Sequence, residues 1–192
     1  MKYDIIIAGV GGQGTLSVSS IIAQAAMSEG LSVKQSEVHG MSQRGGDVVT
    51  NLRLSDQPIA SDLISKGSAA MILSMEPLEG LRYLSYLSPN GTVVTSTDPV
   101  LNITDYPDLD SLLATIRRLP HSVLVDGEGI ARRAGSIRAI NMVMVGAASA
   151  LLPIRPEVIE GFIQKRFANK GERVVESNLK AFRAGREVAS LV

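Results

Sequence analysis

Apolar and polar positions change their period several times along this chain. The run Asp4-Ile5-Ile6-Ile7-Ala8 is short, β-branched and without polar alternation, the pattern of a strand buried on both faces. Residues 15–28 then switch to near-helical spacing, with Leu16, Val18, Ile21, Ile22, Ala25 and Ala26 recurring and Gly30 placed to close the helix. Ser32-Val33-Lys34-Gln35-Ser36-Glu37 predicts a second strand, and Asp47-Val48-Val49-Thr50-Asn51-Leu52-Arg53-Leu54 alternates like a third. Residues 69–75 predict another buried strand. Glu76-Pro77 suits the first turn of a helix running to about residue 87, where Ser88-Pro89-Asn90-Gly91 predicts a turn. A strand at 92–95, an irregular connection at 98–108, a helix at 109–119 and a strand at 122–125 complete the alternation. Beyond residue 127 every pattern is helical. A small-residue stretch fills 127–152, Val158, Ile159, Phe162 and Ile163 share a face within 154–167, and Val174, Val175, Asn178, Leu179 and Phe182 stripe a last helix.

The junction of the first strand and first helix reads Gly9-Val10-Gly11-Gly12-Gln13-Gly14, which satisfies G-x-G-x-x-G in its expected strand–turn–helix setting, with Glu37 ending the second strand. A dinucleotide-binding half would continue through a crossover helix into a parallel third strand. The intervening Val38-His39-Gly40-Met41-Ser42-Gln43-Arg44-Gly45-Gly46 is too short and too glycine-rich for that, because a parallel crossover needs about a dozen residues or more. The third strand is therefore expected antiparallel to the second. The expected class is α/β: one three-layer, Rossmann-like domain over residues 1–192, with a mixed, mostly parallel sheet and a helical C-terminal third.

Composition narrows the chemistry. A chain of 192 residues can bury roughly 70% of its unfolded surface. With 19 basic and 19 acidic residues the net charge is zero, which points away from nucleic acid and from anionic membrane as partners. The sequence has no cysteine, so it supplies no ligand set for an iron–sulfur cluster, no thiolate zinc site and no thiol nucleophile. His39 and His121 are its only histidines and are far apart, so no histidine metal site is expected. No apolar run approaches the roughly 20 residues that span a bilayer, and the first residues lack a basic leader, so a cytoplasmic protein is expected.

Each motif has two readings. Gly9, Gly11, Gly12, Gln13 and Gly14 can present backbone amides to a phosphate or another anion at a helix N-terminus, or serve only a tight turn and close packing. Glu37 can meet a ribose hydroxyl or stay solvated. His39, Met41, Ser42, Gln43, Arg44, Gly45 and Gly46 crowd many functional groups onto a loop at the strand ends, where open α/β sheets place ligands. There Arg44 can offer its planar fork to a carboxylate or phosphate, or be a solvated arginine on a surface hairpin. Small residues in Asn141-Met142-Val143-Met144-Val145-Gly146-Ala147-Ala148 let another helix, from this chain or a second one, approach closely. No nucleophile–base–acid set, Walker loop or paired-carboxylate spacing emerges, so no catalytic residue is assigned to the chain alone.

The two glycine loops, Asn141-Met142 with Gly146-Ala147, and Asn178 with Ala181-Phe182 and Gly185 occur in an order that resembles the gamma-type subunits of 2-oxoacid:ferredoxin oxidoreductases over nearly the whole chain. His-Gly-Met-Ser-Gln-Arg-Gly-Gly is the specific part. Gln43, where pyruvate-type chains usually carry an acid, points to the indolepyruvate branch. The resemblance implies a share in oxidative decarboxylation of an aryl 2-oxoacid to its acyl-CoA, with coenzyme A as cosubstrate and two electrons passed to ferredoxin. Thiamine diphosphate, Mg and iron–sulfur clusters would reside on a large partner subunit. This chain would be inactive alone, and its loops would form a substrate entrance, a coenzyme A contact or a partner interface. The residues by themselves also leave open a stand-alone NAD(P)- or flavin-binding protein, or a non-catalytic assembly module.

Overall fold

Residues 1–39 and 45–190 are described by a computed structural model, His39 through its backbone only. Within them the strands are β1 (Lys2–Val10), β2 (Ser32–His39), β3 (Asp47–Ser55), β4 (Ala69–Ser74), β5 (Leu87–Ser96) and β6 (Ser122–Val125). The helices are α1 (Thr15–Ser28), α2 (Pro77–Arg82), α3 (Leu109–Arg117), α4 (Gly127–Arg133), α5 (Ile140–Ser149), α6 (Pro156–Phe167) and α7 (Glu172–Ala189). The strands form one sheet in the order β2-β3-β1-β4-β5-β6. β3 is antiparallel to both its neighbours, β1 and β2, and the pairs β1–β4, β4–β5 and β5–β6 are parallel. The antiparallel third strand is thus present, and it is wedged between the first two strands.

Burial follows the alternation along β1. Ile5 and Ile7 face the larger core, built with α1, α4, α5, α6 and α7, while Ile6 faces a smaller cluster with Ile72, Val93 and Ile116. The three-layer arrangement follows. α5 and α7 carry the closest helix contact, and it uses the small residues noted above. A Cβ on Gly146 would lie 1.9 Å from the Phe182 carbonyl oxygen, and one on Gly185 would lie 2.0 Å from that of Val143. The helix that approaches the small-residue face belongs to the same chain.

Two local expectations are corrected. α2 ends at Arg82 and tightens into a 3₁₀ turn at Leu84–Tyr86, so it does not reach residue 87. Gly80 weakens it, and that glycine is needed because its Cβ would press on Ser74. Residues 88–91 lie inside β5 as an irregularity: Ala69 pairs with Leu87 and Met71 with Thr92, so the extra residues bulge out. The expected turn is not formed, because pairing with β4 on either side of the irregularity keeps these residues within the strand.

At the amino edge of the parallel strands, Arg53 of β3 lies opposite Asp4 of β1. Its Nε and Nη2 donate to the two Asp4 oxygens at 2.9 and 3.1 Å, and Nη1 donates to the Ser61 and Leu63 carbonyls at 2.8 and 2.9 Å. One guanidinium fixes the β1–β3 register and the loop after β3.

Candidate functional site

All the parallel strands end on one edge of the sheet, and β3 begins there. Chain order reverses around β1, with β3 and β2 on one side and β4 on the other, so the switch point lies between the ends of β1 and β4. Ligands of open α/β sheets bind in the crevice outside that point.

Here a side chain of the first glycine loop fills the crevice. Gln13 Oε1 accepts the Val10 N–H at 2.8 Å, and its Nε2 donates to the Met75 carbonyl at 3.1 Å, tying β1 to the segment after β4. Gly9, still within β1, has room for no side chain: a Cβ would meet Thr15, Gln13 and Met75 at 3.0–3.2 Å. Gly14 precedes α1 with φ of 80°, and the Asn141 carboxamide, at the start of α5, sits over it. Of the amides expected to cradle an anion, that of Gly11 is already engaged. It donates to the Gly46 carbonyl at 2.8 Å, so the two glycine loops fold onto each other. Asn102, from the irregular connection, donates to the Gly45 carbonyl at 2.7 Å and adds a third loop. The His39 side chain, Met41, Ser42, Gln43 and Arg44 lie outside the described residues. Glu37 accepts from Thr50 Oγ1 at 3.0 Å, and β3 separates its strand from the glycine loop. It is one strand further from the loop than a ribose-binding acid would be.

The other half of the edge is acidic and was missed in the sequence. Glu76, read there only as a helix start, is 1% exposed. Its carboxylate accepts from the Glu79 N–H and from Tyr106 Oη, the latter at 2.7 Å, and Ser74 Oγ donates to its backbone carbonyl. Burial and the Glu76 carboxylate push the Tyr106 phenol well above its ordinary range. Tyr83 donates to Asp47 at 3.3 Å, and burial together with the Asp47 charge raises its pKa to about 12. Both phenols are hydrogen-bond donors at neutral pH. A tyrosine 30 residues from the acid it meets leaves no local spacing to detect. Among the described residues no three His, Asp or Glu side chains are placed to hold a metal ion. The edge instead presents backbone amides, two carboxylate–phenol pairs and exposed apolar side chains at Leu16, Leu101 and Ile103. That combination suits a docking and positioning surface better than bond-making chemistry.

Glu79 provides a pH test of this region. Burial raises its pKa, Arg82 opposes the shift, and the Glu76 and Asp47 charges add to it. The protonated form is therefore favoured by folding. The associated stability is fully present below the unfolded value of about 4.3 and is lost as pH rises through the folded value. Glu79→Gln removes this dependence, so the parent is expected to lose stability relative to the variant as pH rises from about 4 toward neutrality. Urea denaturation across that range checks it; a constant difference would count against the assignment.

A model of the family described as pyruvate ferredoxin/flavodoxin oxidoreductase matches residues 4–188. The chain is 40% identical over 192 residues to the indolepyruvate oxidoreductase subunit IorB of Methanothermobacter thermautotrophicus, covering 96% of each chain. It is 37% identical over 194 residues to the subunit of the same name from Archaeoglobus fulgidus, covering 96% of this chain and 94% of that one. Among solved structures it resembles the gamma subunit of a keto/oxoacid ferredoxin oxidoreductase from Geobacter sulfurreducens, with a TM-score of 0.74 at 24% identity over 99% of both chains.

Proposed function

The chain belongs to the pyruvate ferredoxin/flavodoxin oxidoreductase family, and we propose that within it this is the small subunit of an indolepyruvate:ferredoxin oxidoreductase. The observation that carries the reading is the match, nearly end to end, with two indolepyruvate oxidoreductase small subunits at 37–40% identity. The reaction is oxidative decarboxylation of an aryl 2-oxoacid to the acyl-CoA, with electrons delivered to ferredoxin in the cytoplasm. Thiamine diphosphate with Mg supplies the carbanion chemistry and iron–sulfur clusters the electron path. Both are assigned to a large partner subunit, in keeping with a chain that has no cysteine.

The contribution of this chain is its carboxyl edge. The interlocked glycine loops and the 98–108 connection form a surface with Leu16, Leu101 and Ile103 exposed, which suits contact with the large subunit. Arg44, on the second loop, supplies an anion contact there, to a partner carboxylate or to coenzyme A. A stand-alone dinucleotide-binding role is disfavoured, because Gln13 occupies the switch point and the Gly11 amide is engaged.

The test is reconstitution. The purified chain is expected to show no 2-oxoacid-dependent reduction of a low-potential acceptor, and the large subunit with this chain to show indolepyruvate- and coenzyme A-dependent reduction. Equal activity of the large subunit alone, or preference for pyruvate over an aryl 2-oxoacid, would sink the proposal.

A further inference from the structure

β2 and β6 are the lateral edges of the sheet. β2 carries Lys34, Gln35 and Glu37, and such charges discourage a further strand, whereas β6 reads Ser122-Val123-Leu124-Val125 and carries none. The Val93 N–H donates to the His121 carbonyl at 3.1 Å and the Thr97 N–H to that of Val125 at 2.8 Å, so His121, Val123 and Val125 turn their backbone groups toward β5. By alternation the N–H and C=O groups of Ser122 and Leu124 point away from the sheet. Among the described residues none of these groups has a hydrogen-bond partner. Both residues are only half-buried. Two basins follow one another along this edge. At the amino end of β6, one of about 350 Å³ is lined by Arg117, His121, Ser122, Leu151 and Ala189. At the carboxyl end, one of about 600 Å³ is lined by Leu124, Asp126, Ala134, Ala184, Glu187 and Val188. Around the second, Asp126 meets Arg133 at 3.6 Å and Lys180 meets Glu176 at 2.7 Å. Among the described residues Arg117 and Glu187, both exposed, join no ion pair.

An open edge accepts a strand that offers matching backbone groups, and β6 matches itself. A two-fold axis through Val123, perpendicular to the sheet, sets Ser122 opposite Leu124 of a second copy and Leu124 opposite its Ser122. The free N–H and C=O groups of each copy then satisfy those of the other as an antiparallel pair. Such a contact uses one patch twice and closes on itself. The same axis exchanges the two basins, so the unpaired cation at the amino end of each β6, Arg117, is carried toward the unpaired acid at the carboxyl end of the other, Glu187. Half-buried Leu124, Ala134, Ala184 and Val188 and exposed Leu151 give the seam an apolar lining. We propose that β6 is the interface between two copies of this chain, with the sheet running continuously from one to the other. β4 and β5 separate β6 from β1 and its glycine loop, so the pairing leaves that loop free. The interface does not rest on the function proposed above.

Sedimentation velocity of the full chain over a concentration series tests it. The parent is expected to pass from monomer to dimer, and to do so less readily at high salt. Ser122→Pro removes an outward N–H and places a ring in the seam, yet spares the bonds to β5, because the Ser122 N–H is not one of them. It should weaken the dimer about tenfold to hundredfold. Its melting temperature should match that of the parent at concentrations where both are monomeric. Arg117→Glu and Glu187→Arg should each weaken the dimer, and the two combined in one chain should restore it, because the intermolecular pair is then reversed rather than lost. That reversal decides the matter should Ser122→Pro not fold. A parent that stays monomeric at every concentration, a dimer indifferent to these variants, or a combined reversal no better than the single ones overturns the interface. The subunit assignment stands or falls separately, by reconstitution with the large subunit.

Discussion

Gly146→Ala is expected to lower the unfolding free energy by about 3 kcal/mol, at the upper end for overpacked cores, and the melting temperature by roughly 6–12 °C. An added methyl group would sit 1.9 Å from the Phe182 carbonyl oxygen and 3.0 Å from the Arg186 nitrogen, so it strikes the backbone of α7 rather than a movable side chain. Relief requires α5 and α7 to separate. Gly185→Ala should do the same, because its methyl would meet the Val143 carbonyl from the other side. Gly161 is the control. It lies within α6 with nothing inside 4 Å of a Cβ, so alanine there should be neutral or stabilise by up to about 1 kcal/mol through better helix propensity. Thermal and urea melts of the three variants decide the matter. If Gly146→Ala and Gly161→Ala behave alike, the close helix contact is not what holds the C-terminal third in place.

Arg53→Ala is expected to cost about 3 kcal/mol, the low end for removing one partner of a buried pair. Asp4 is 2% exposed and would keep a charge without its bidentate partner. Lys2 Nζ, 3.0 Å from Asp4 Oδ2, moderates the loss, but its side chain is mostly in solvent. The same change releases the Ser61 and Leu63 carbonyls, so the loop after β3 should become sensitive to limited proteolysis. Replacing both partners, as Asp4→Asn with Arg53→Met, should recover much of the loss, since no uncompensated charge remains. A double variant as unstable as the sum of the two single ones would show that the pair is not coupled. Both sites lie away from the carboxyl edge, so losses of activity in these variants should follow stability.

Much of the local structure was legible because it depends on neighbours in sequence. α1 spans Thr15–Ser28 as its spacing predicts, Gly30 takes the positive φ that closes it, and β6 covers Ser122–Val125 as read. The family resemblance was legible too, because His39-Gly40-Met41-Ser42-Gln43-Arg44-Gly45-Gly46 is a string of chemical groups that needs no fold to be recognised. The antiparallel direction of β3 followed from a loop too short for a crossover.

The slot that β3 occupies did not follow from any pattern. Apolar alternation says that a strand wants a neighbour and a core face, but not which neighbour. Insertion between β1 and β2 satisfies the hydrogen-bonding edges of both and buries Leu52 and Leu54. The same holds at the site. Gln13 meets the Met75 carbonyl 62 residues away, and Tyr106 meets Glu76 across 30 residues. The sequence by itself determined the period of each element, where most helices stop, and which loops carry unusual chemistry, since turn geometry, capping and side-chain character act within a few residues. Only the tertiary structure decided that a glutamine plugs the switch point and that a half-buried carboxylate–phenol pair sits beside it. Those contacts exist because sheet pairing and core burial bring distant segments together, and the free energy that selects them belongs to the whole packed domain rather than to any local pattern.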